Sequence, residues 1–439
     1  MSIAAILMLV CFFAWGAVGM PIGFAMLASA FLYLLVKGQD LGLVASQSLN
    51  GLFRSFVLLA VPLFIVAAEI MNAGTVSERL IKFASLIVGR IRGGLAHVTV
   101  VASMIFSGMS GSAIADAAGP GKLMIEMMLK EGRYKPGFAG AIVAAAATIG
   151  PIIPPSIPMV LYAMVANTSV GYLFLGGVLP GVLMGTSLMA TIALMARKHD
   201  LPVEPPMRRS DVVPVLRASV PALLLPVILL GGIYSGAVTP TEAAAVAAAY
   251  ALLLACGLYR AVGLRELTQI FVGASRSTAV VALVVAGALL VNYVVASEQI
   301  GVKIGAWITS LNVSRFEFLL IINLLFLILG CFLDTLLMLL VMVPIAMPSI
   351  RAVGIDPVHF GVTTIVNLMI GMITPPYSEL LFVVTGITGI PLTSMYRYIW
   401  LFIVALTIAL FIMLAAPGVV LWLPMQFGYQ PETPQPFAF

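Results

Sequence analysis

The chain has 439 residues, of which 62% are hydrophobic and only 9% charged, with a formal net charge of +5. Its apolar runs repeatedly exceed the roughly 20 residues that cross a hydrocarbon core about 30 Å thick. Its basic residues gather between those runs, where they set topology and make no nucleic-acid surface.

The first apolar run opens at Ile3 and the first lysine is Lys37. Without a basic leader the run reads as a retained span, not a cleaved signal. Spans are expected at about 3–20, 21–36 and 55–72. Runs such as 57–70, 279–295 and 399–416 do not alternate in polarity, so they read as helices and not as barrel strands. Cys11, Cys256 and Cys331 are scattered in apolar segments and imply neither a disulfide framework nor a metal cluster.

Residues 76–92 read differently. Glu78, Arg79, Lys82, Ser85, Gly89 and Arg90 share one helical face, and Leu80, Ile81, Ala84, Ile87 and Val88 share the other, which predicts an arm helix lying in the membrane interface. Segment 93–135 follows, with FSGMSGSAIADAAGPG at its centre (106–121). That glycine-rich middle predicts a hairpin that enters and leaves on one side. Glycine frees backbone carbonyls and serine adds hydroxyl oxygens, so Ser107, Gly108, Ser110, Gly111 and Ser112 could surround a hard cation, with Asp116 beside them. Small residues also serve close helix packing; the adjacent Asp116 favours a functional tip. Segment 137–165 is interrupted by Gly150-Pro151-Ile-Ile-Pro154-Pro155-Ser156, and a fifth span covers 171–196.

The chain then repeats itself. KPGFAGAIVAAAATIGPIIPP from Lys135 aligns with DPVHFGVTTIVNLMIGMITPP from Asp356 at an offset of 221, matching Pro136, Gly140, Gly150, Pro154 and Pro155 with Pro357, Gly361, Gly371, Pro375 and Pro376. Gly51, Arg54 and Ser55 align with Gly273, Arg276 and Ser277 one residue out of step. The first repeat is therefore placed at 1–197, a cytoplasmic linker at 198–217 and the second repeat at 218–439, with an arm at 296–315, a hairpin at 316–348 and a broken helix at 358–390. Five crossings is an odd number, so the second copy is expected to be inverted. With the linker cytoplasmic, 17 of the 22 Lys and Arg fall inside and 5 outside, which puts both termini outside.

Matching interruptions in two halves of a membrane protein point to a transporter's binding site. Consecutive prolines stop a helix and leave carbonyls unpaired. The half-helix before the break ends partly negative and suits a cation; the one after begins partly positive and suits a carboxylate. A plain proline kink is the bland alternative, weakened by its occurring twice. Five acids fall within apolar segments, Glu69, Asp116, Glu242, Asp334 and Glu379, where charge is costly and usually functional. Glu242 near a helix start has an equally simple role as a dipole partner, and interhelical pairing or cavity exposure would explain Glu69 and Glu379. Gly121-Lys122 is followed by Leu123, so no phosphate-binding loop drives the chain, and His97, His199 and His359 show no metal spacing. Proteolysis by Asp116 and Asp334 would need them close together, whereas inverted hairpins place them at separate tips.

FSGMSGSAIADAAGPG, GRYKPGFAGAIVAAAATIGPIIPPS and GMITPP together resemble the large membrane subunit of the TRAP (tripartite ATP-independent periplasmic) transporters, nearly end to end. The resemblance implies an all-helical scaffold with arm helices and an elevator-like transport domain of two re-entrant hairpins and two broken helices. It implies a sodium-driven importer of organic acids in the bacterial inner membrane, with no cofactor beyond the coupling ion. The implied partners are a periplasmic substrate-binding protein and a separate four-helix membrane subunit. Sodium is then expected where hairpin tips meet breaks, at Ser107, Gly108, Ser110, Gly111, Gly150, Pro151, Pro154 and Pro155, and at Gly330, Asp334, Gly371, Thr374 and Pro375. The carboxylate substrate is expected near Ser112, Asp116, Ser156, Thr335, Pro376 and Tyr377. The second tip, GCFLDT, carries fewer hydroxyls than the first. A related sodium/carboxylate symporter that needs no binding protein is the principal rival. A channel would show a continuous polar stripe instead of polarity confined to tips and breaks.

Overall fold

The computed structural model describes residues 2–73, 76–199, 201–203, 209–310 and 313–431. Residues 204–208 of the expected linker, 311 and 312 of the second arm and 432–439 of the second repeat lie outside the described residues. Among those described, every regular element is helical. Six helices are long and apolar enough to cross a membrane, or seven if one bent pair is a single span.

The chain opens with α1 (Ile3–Ala17), α2 (Ile22–Lys37), α3 (Gly42–Arg54) and α4 (Ala60–Asn72). α3 is not among the spans expected from the sequence, because Ser46, Gln47, Ser48 and Asn50 interrupt its apolar pattern. It meets α4 at a bend of 69°. The arm α5 (Val76–Val88) buries Leu80, Ile81, Ala84 and Val88 as its periodicity requires, but Ile87 is 58% exposed. It packs on α6 (Gly94–Ser110) and on α12 (Arg209–Tyr234).

The first hairpin descends through α6, turns at Ser110–Ser112 and returns through α7 (Ala113–Asp116) and α8 (Lys122–Leu129). α9 (Pro136–Ala147) and α10 (Ile157–Ala166) flank the first break, and α11 (Val170–His199) closes this half. Its counterparts are α16 (Arg315–Gly330), then α17 (Thr335–Leu337) and α18 (Val343–Val353), then α19 (Pro357–Gly371) and α20 (Glu379–Thr388), then α21 (Leu392–Ala415). The correspondence reaches fine detail. A π turn at Ala117–Gly121 follows the first tip, and another at Met338–Met342 follows the second, 221 residues later. Both Pro154-Pro155 and Pro375-Pro376 are cis.

Between the halves, α13 (Pro240–Leu252) and α14 (Leu264–Ser297) complete a frame in which α2 packs on α14 and α4 on α13. Around the broken helices the packing is crossed in the same manner: α9 lies on α21, and α19 on α11. α15 (Ile300–Ser310) packs on α18, and α22 (Gly418–Gln426) on α11. Buried polar bonds tie the halves together. The Tyr162 hydroxyl donates to the Pro357 carbonyl at 2.7 Å, and a Cβ on Gly361 would strike the Tyr162 ring. Large apolar side chains such as Ile3, Ile6, Val10 and Phe13 stay exposed, as a lipid-facing surface requires.

Candidate functional site

The two hairpin tips and the two breaks meet. Gly111 takes φ +61°, a left-handed backbone that L side chains rarely adopt, and a Cβ built on it would fall 2.5 Å from the Pro155 oxygen. In the other half a Cβ on Gly371 would lie 2.9 Å from the Gly330 carbonyl. Only residues without side chains let tip and break touch backbone to backbone.

A cavity of about 480 Å³ opens between these contacts. Of the residues expected at the site, Ser110, Gly111, Ser112, Pro151, Asp334 and Thr335 line it. Asp116 lies just behind, 2% exposed. One of its carboxylate oxygens accepts from the Ser110 hydroxyl; the other has no hydrogen-bond partner and lies beside the Gly150 backbone. Gly150 thus serves as room for a carboxylate.

The remaining expected residues support the walls. Ser107 donates to the Ser103 carbonyl inside α6 at 2.6 Å, and Gly108 is packed against Pro226. Ser156 accepts from the Met159 amide as the cap of α10 and donates to the Pro151 carbonyl at 2.5 Å, so one amide of the first post-break helix end is already satisfied. Asp334 plays the capping part in α17, accepting from the amides of Leu336 and Leu337. Thr374 donates back to the Ile370 carbonyl, and the Pro376 carbonyl accepts from Tyr396. Pro154, Pro155 and Pro375 shape the two breaks without lining the cavity. Tyr377 is not at the cavity: it is 57% exposed and packs its ring on Phe382.

Other lining residues come from elements far off in sequence. α4 supplies Ile65, Ala68 and Glu69, α14 supplies Ser277, Val280 and Val281, and α20 supplies Glu379. Glu242 takes the simpler of its two roles: it forms a reciprocal capping box with Thr239 at the start of α13 and is solvent-exposed. α20 differs from α10 in having no side-chain cap, and the buried Ser378 hydroxyl before it has no partner. Among the described residues no group of three or more His, Cys, Asp or Glu is arranged to hold a metal ion.

Paired hairpins, paired broken helices and a polar cavity inside a helical membrane body define a multi-pass membrane transport protein, not an enzyme. The chain belongs to the family described as tripartite ATP-independent periplasmic transporter, DctM component, which it matches over residues 9–419. It is 42% identical to the sialic acid TRAP transporter large permease of Vibrio cholerae, over 94% of this chain and 96% of that one. It is also 42% identical to the C4-dicarboxylate TRAP transporter large permease of Pseudomonas aeruginosa (85% and 87% covered). With the 2,3-diketo-L-gulonate TRAP transporter large permease of Escherichia coli it shares 34% (97% and 99%). In fold it is similar to the YdaH transporter of Alcanivorax borkumensis, with a TM-score of 0.60 at 16% identity, covering 86% of this chain and 87% of that one.

Proposed function

We propose that the protein is the large permease of a sodium-coupled importer that takes an organic acid from a periplasmic binding protein across the bacterial inner membrane, beside a small four-helix membrane subunit. Its two halves act as inverted repeats with both termini periplasmic. The hairpins and broken helices move as one elevator against the frame of α1–α4 and α12–α14. The observation that carries this reading is the double contact of tip with break, Gly111 on Pro155 and Gly330 on Gly371, with the cavity between. Freed carbonyls and hydroxyls at such contacts suit sodium, and hydroxyls and amides facing the cavity suit a carboxylate.

The direction of the cavity fits an inward-facing state. Glu69 lies near the end of α4 and Ser277 in the first half of α14, and on the proposed topology both belong to the cytoplasmic half of the frame. The energetics favour coupling: one sodium ion moving down a tenfold gradient and about 100 mV releases about 3.7 kcal/mol. Two ions supply about 7 kcal/mol, enough for roughly 10⁵-fold accumulation of a load that carries no net charge inward. At least two ions therefore accompany each substrate.

The test is uptake into proteoliposomes holding both membrane subunits, with the binding protein outside. Transport should require an inward sodium gradient and the binding protein together. Flux indifferent to sodium would remove the coupling, and equal flux without the binding protein would turn the reading into a stand-alone carboxylate symporter.

A further inference from the structure

The charges around the cavity do not suit a plain organic acid. Three carboxylates line it, those of Glu69, Asp334 and Glu379, and among the described residues no Lys, Arg or His does. Asp334 is offset by two backbone amides. Elsewhere in the chain carboxylates find similar relief: Glu242 at Thr239, and Glu298 at Ser2, Tyr33 and Lys37. Among the described residues Glu69 and Glu379 are partly buried glutamates at the cavity with neither a hydrogen bond nor an ion pair. Glu69 also sits in the last turn of α4, where the helix end is itself partly negative and opposes an anion. A charge held in a half-buried, largely apolar place without a partner is unfavourable, and it is relieved either by a proton or by a cation that comes from outside the fold.

We propose that the cargo is an acid that also carries a cationic nitrogen, an ammonium, amidinium or quaternary ammonium group, received by the carboxylates of Glu69 and Glu379. Its carboxylate lies toward the hydroxyls of Ser112 and Thr335 at the hairpin tips. Glu69 belongs to the frame and Glu379 to a broken helix, so the cargo's cation bridges the two bodies that slide past each other. A dicarboxylate would add a second negative charge where two already lack partners, and the cavity selects against it. This inference rests on the cavity being the cargo site proposed above.

Two measurements test it. In the first, Cys11, Cys256 and Cys331 are replaced by serine and a single cysteine is placed in the cavity by Val280→Cys, in the complete membrane complex. Cationic and anionic methanethiosulfonates of similar size then compete for that thiol at neutral pH, with and without saturating sodium. The cationic reagent should react at least about tenfold faster, and Glu69→Gln with Glu379→Gln should erase most of that preference. An anionic reagent that reacts as fast overturns the inference, because the carboxylates are then neutral. So does a preference abolished by sodium, because they then serve the ions.

In the second, acids that stabilise the binding protein in a thermal-shift screen spanning amine-bearing acids, hydroxy acids and dicarboxylates are followed into proteoliposomes. The expected cargo carries an amine, and Glu379→Gln lowers its uptake by at least about tenfold while leaving an amine-free analogue unaffected or improved. Sodium-driven uptake of a dicarboxylate or an amine-free acid as the preferred cargo defeats this inference and leaves the transporter reading intact. Absence of any sodium-driven acid uptake defeats the transporter reading itself, while the thiol measurement still reports on the cavity's charge.

Discussion

Gly111 and Pro155 touch through their backbones: the tip of the first hairpin rests directly on the carbonyl of the first helix break. Gly111→Ala has two faults at once. A left-handed conformation costs a non-glycine residue about 1–2 kcal/mol, and the new methyl would have to displace the Pro155 oxygen. We expect sodium-dependent uptake to fall at least tenfold, about the effect of 1.4 kcal/mol, with the protein still purified as an intact complex. Gly386→Ala is the control. Nothing lies within 4 Å of its Cβ, so uptake should be unchanged. Equal activity in both variants would remove the tip–break contact from the mechanism.

Ser110 and Asp116 hold each other behind the cavity. The free Asp116 oxygen beside Gly150 is a buried acceptor without a hydrogen-bond partner at the first tip. Asp116→Asn keeps the shape and one acceptor but removes the ability to present a carboxylate to a cation. Hydrogen bonds to charged groups are worth about 1.5–3 kcal/mol, so uptake should drop by one to two orders of magnitude. Ser110→Ala should act more mildly, raising the sodium concentration for half-maximal uptake several-fold. Wild-type sodium dependence in both variants would separate this pair from ion coupling.

How far the sequence reveals this molecule depends on whether the signal is local. Proline pairs interrupt helices wherever they stand, so the breaks at Pro154-Pro155 and Pro375-Pro376 were legible from the residues alone. So were the glycine-rich tips and the placement of Asp116 among serines. The helix α3 was not, because Ser46, Gln47, Ser48 and Asn50 leave it no long apolar run. Nor was the inward aspect of Glu69 and Glu379: both acids were visible as intramembrane charges, but their facing one cavity depends on packing between segments some 300 residues apart. Tyr377 misled for the same reason. Its place beside the break suggested a substrate contact, and packing sends it to the surface against Phe382.

Tyr162 links the two halves through its hydroxyl to the Pro357 carbonyl, with its ring filling the space left by Gly361. Tyr162→Phe removes one buried hydrogen bond while the Pro357 carbonyl keeps its acceptor place in the first turn of α19, a loss of about 0.5–1.5 kcal/mol. Tyr162→Ala adds a large cavity and should cost about 3–5 kcal/mol in total. Thermal unfolding in detergent should rank wild type above Phe above Ala. Wild-type behaviour of the alanine variant would mean that the halves are held elsewhere.

Glu298 is the last residue of this kind and the most heavily engaged. It accepts from the Ser2 amide at 2.9 Å, from the Ser2 hydroxyl at 2.5 Å and from the Tyr33 hydroxyl at 3.0 Å, and it pairs with Lys37 at 3.2 Å. It caps α14 where the chain turns into the arm α15, and Gln299 follows with φ +53°. One carboxylate therefore fastens α1 and α2 to the elbow of the second arm. Glu298→Ala leaves three donors and an ammonium without their acceptor, so the melting temperature should fall by several degrees, and on the proposed elevator mechanism uptake should fall with it, because the arm then loses its fixed end. Lys37→Met should do much less: its side chain is 38% exposed, and water screens an ion pair of that kind. If the two variants were equally destabilised, the ion pair and not the hydrogen-bond network would be the fastening. If neither changed, the frame would hold the elbow by apolar packing alone.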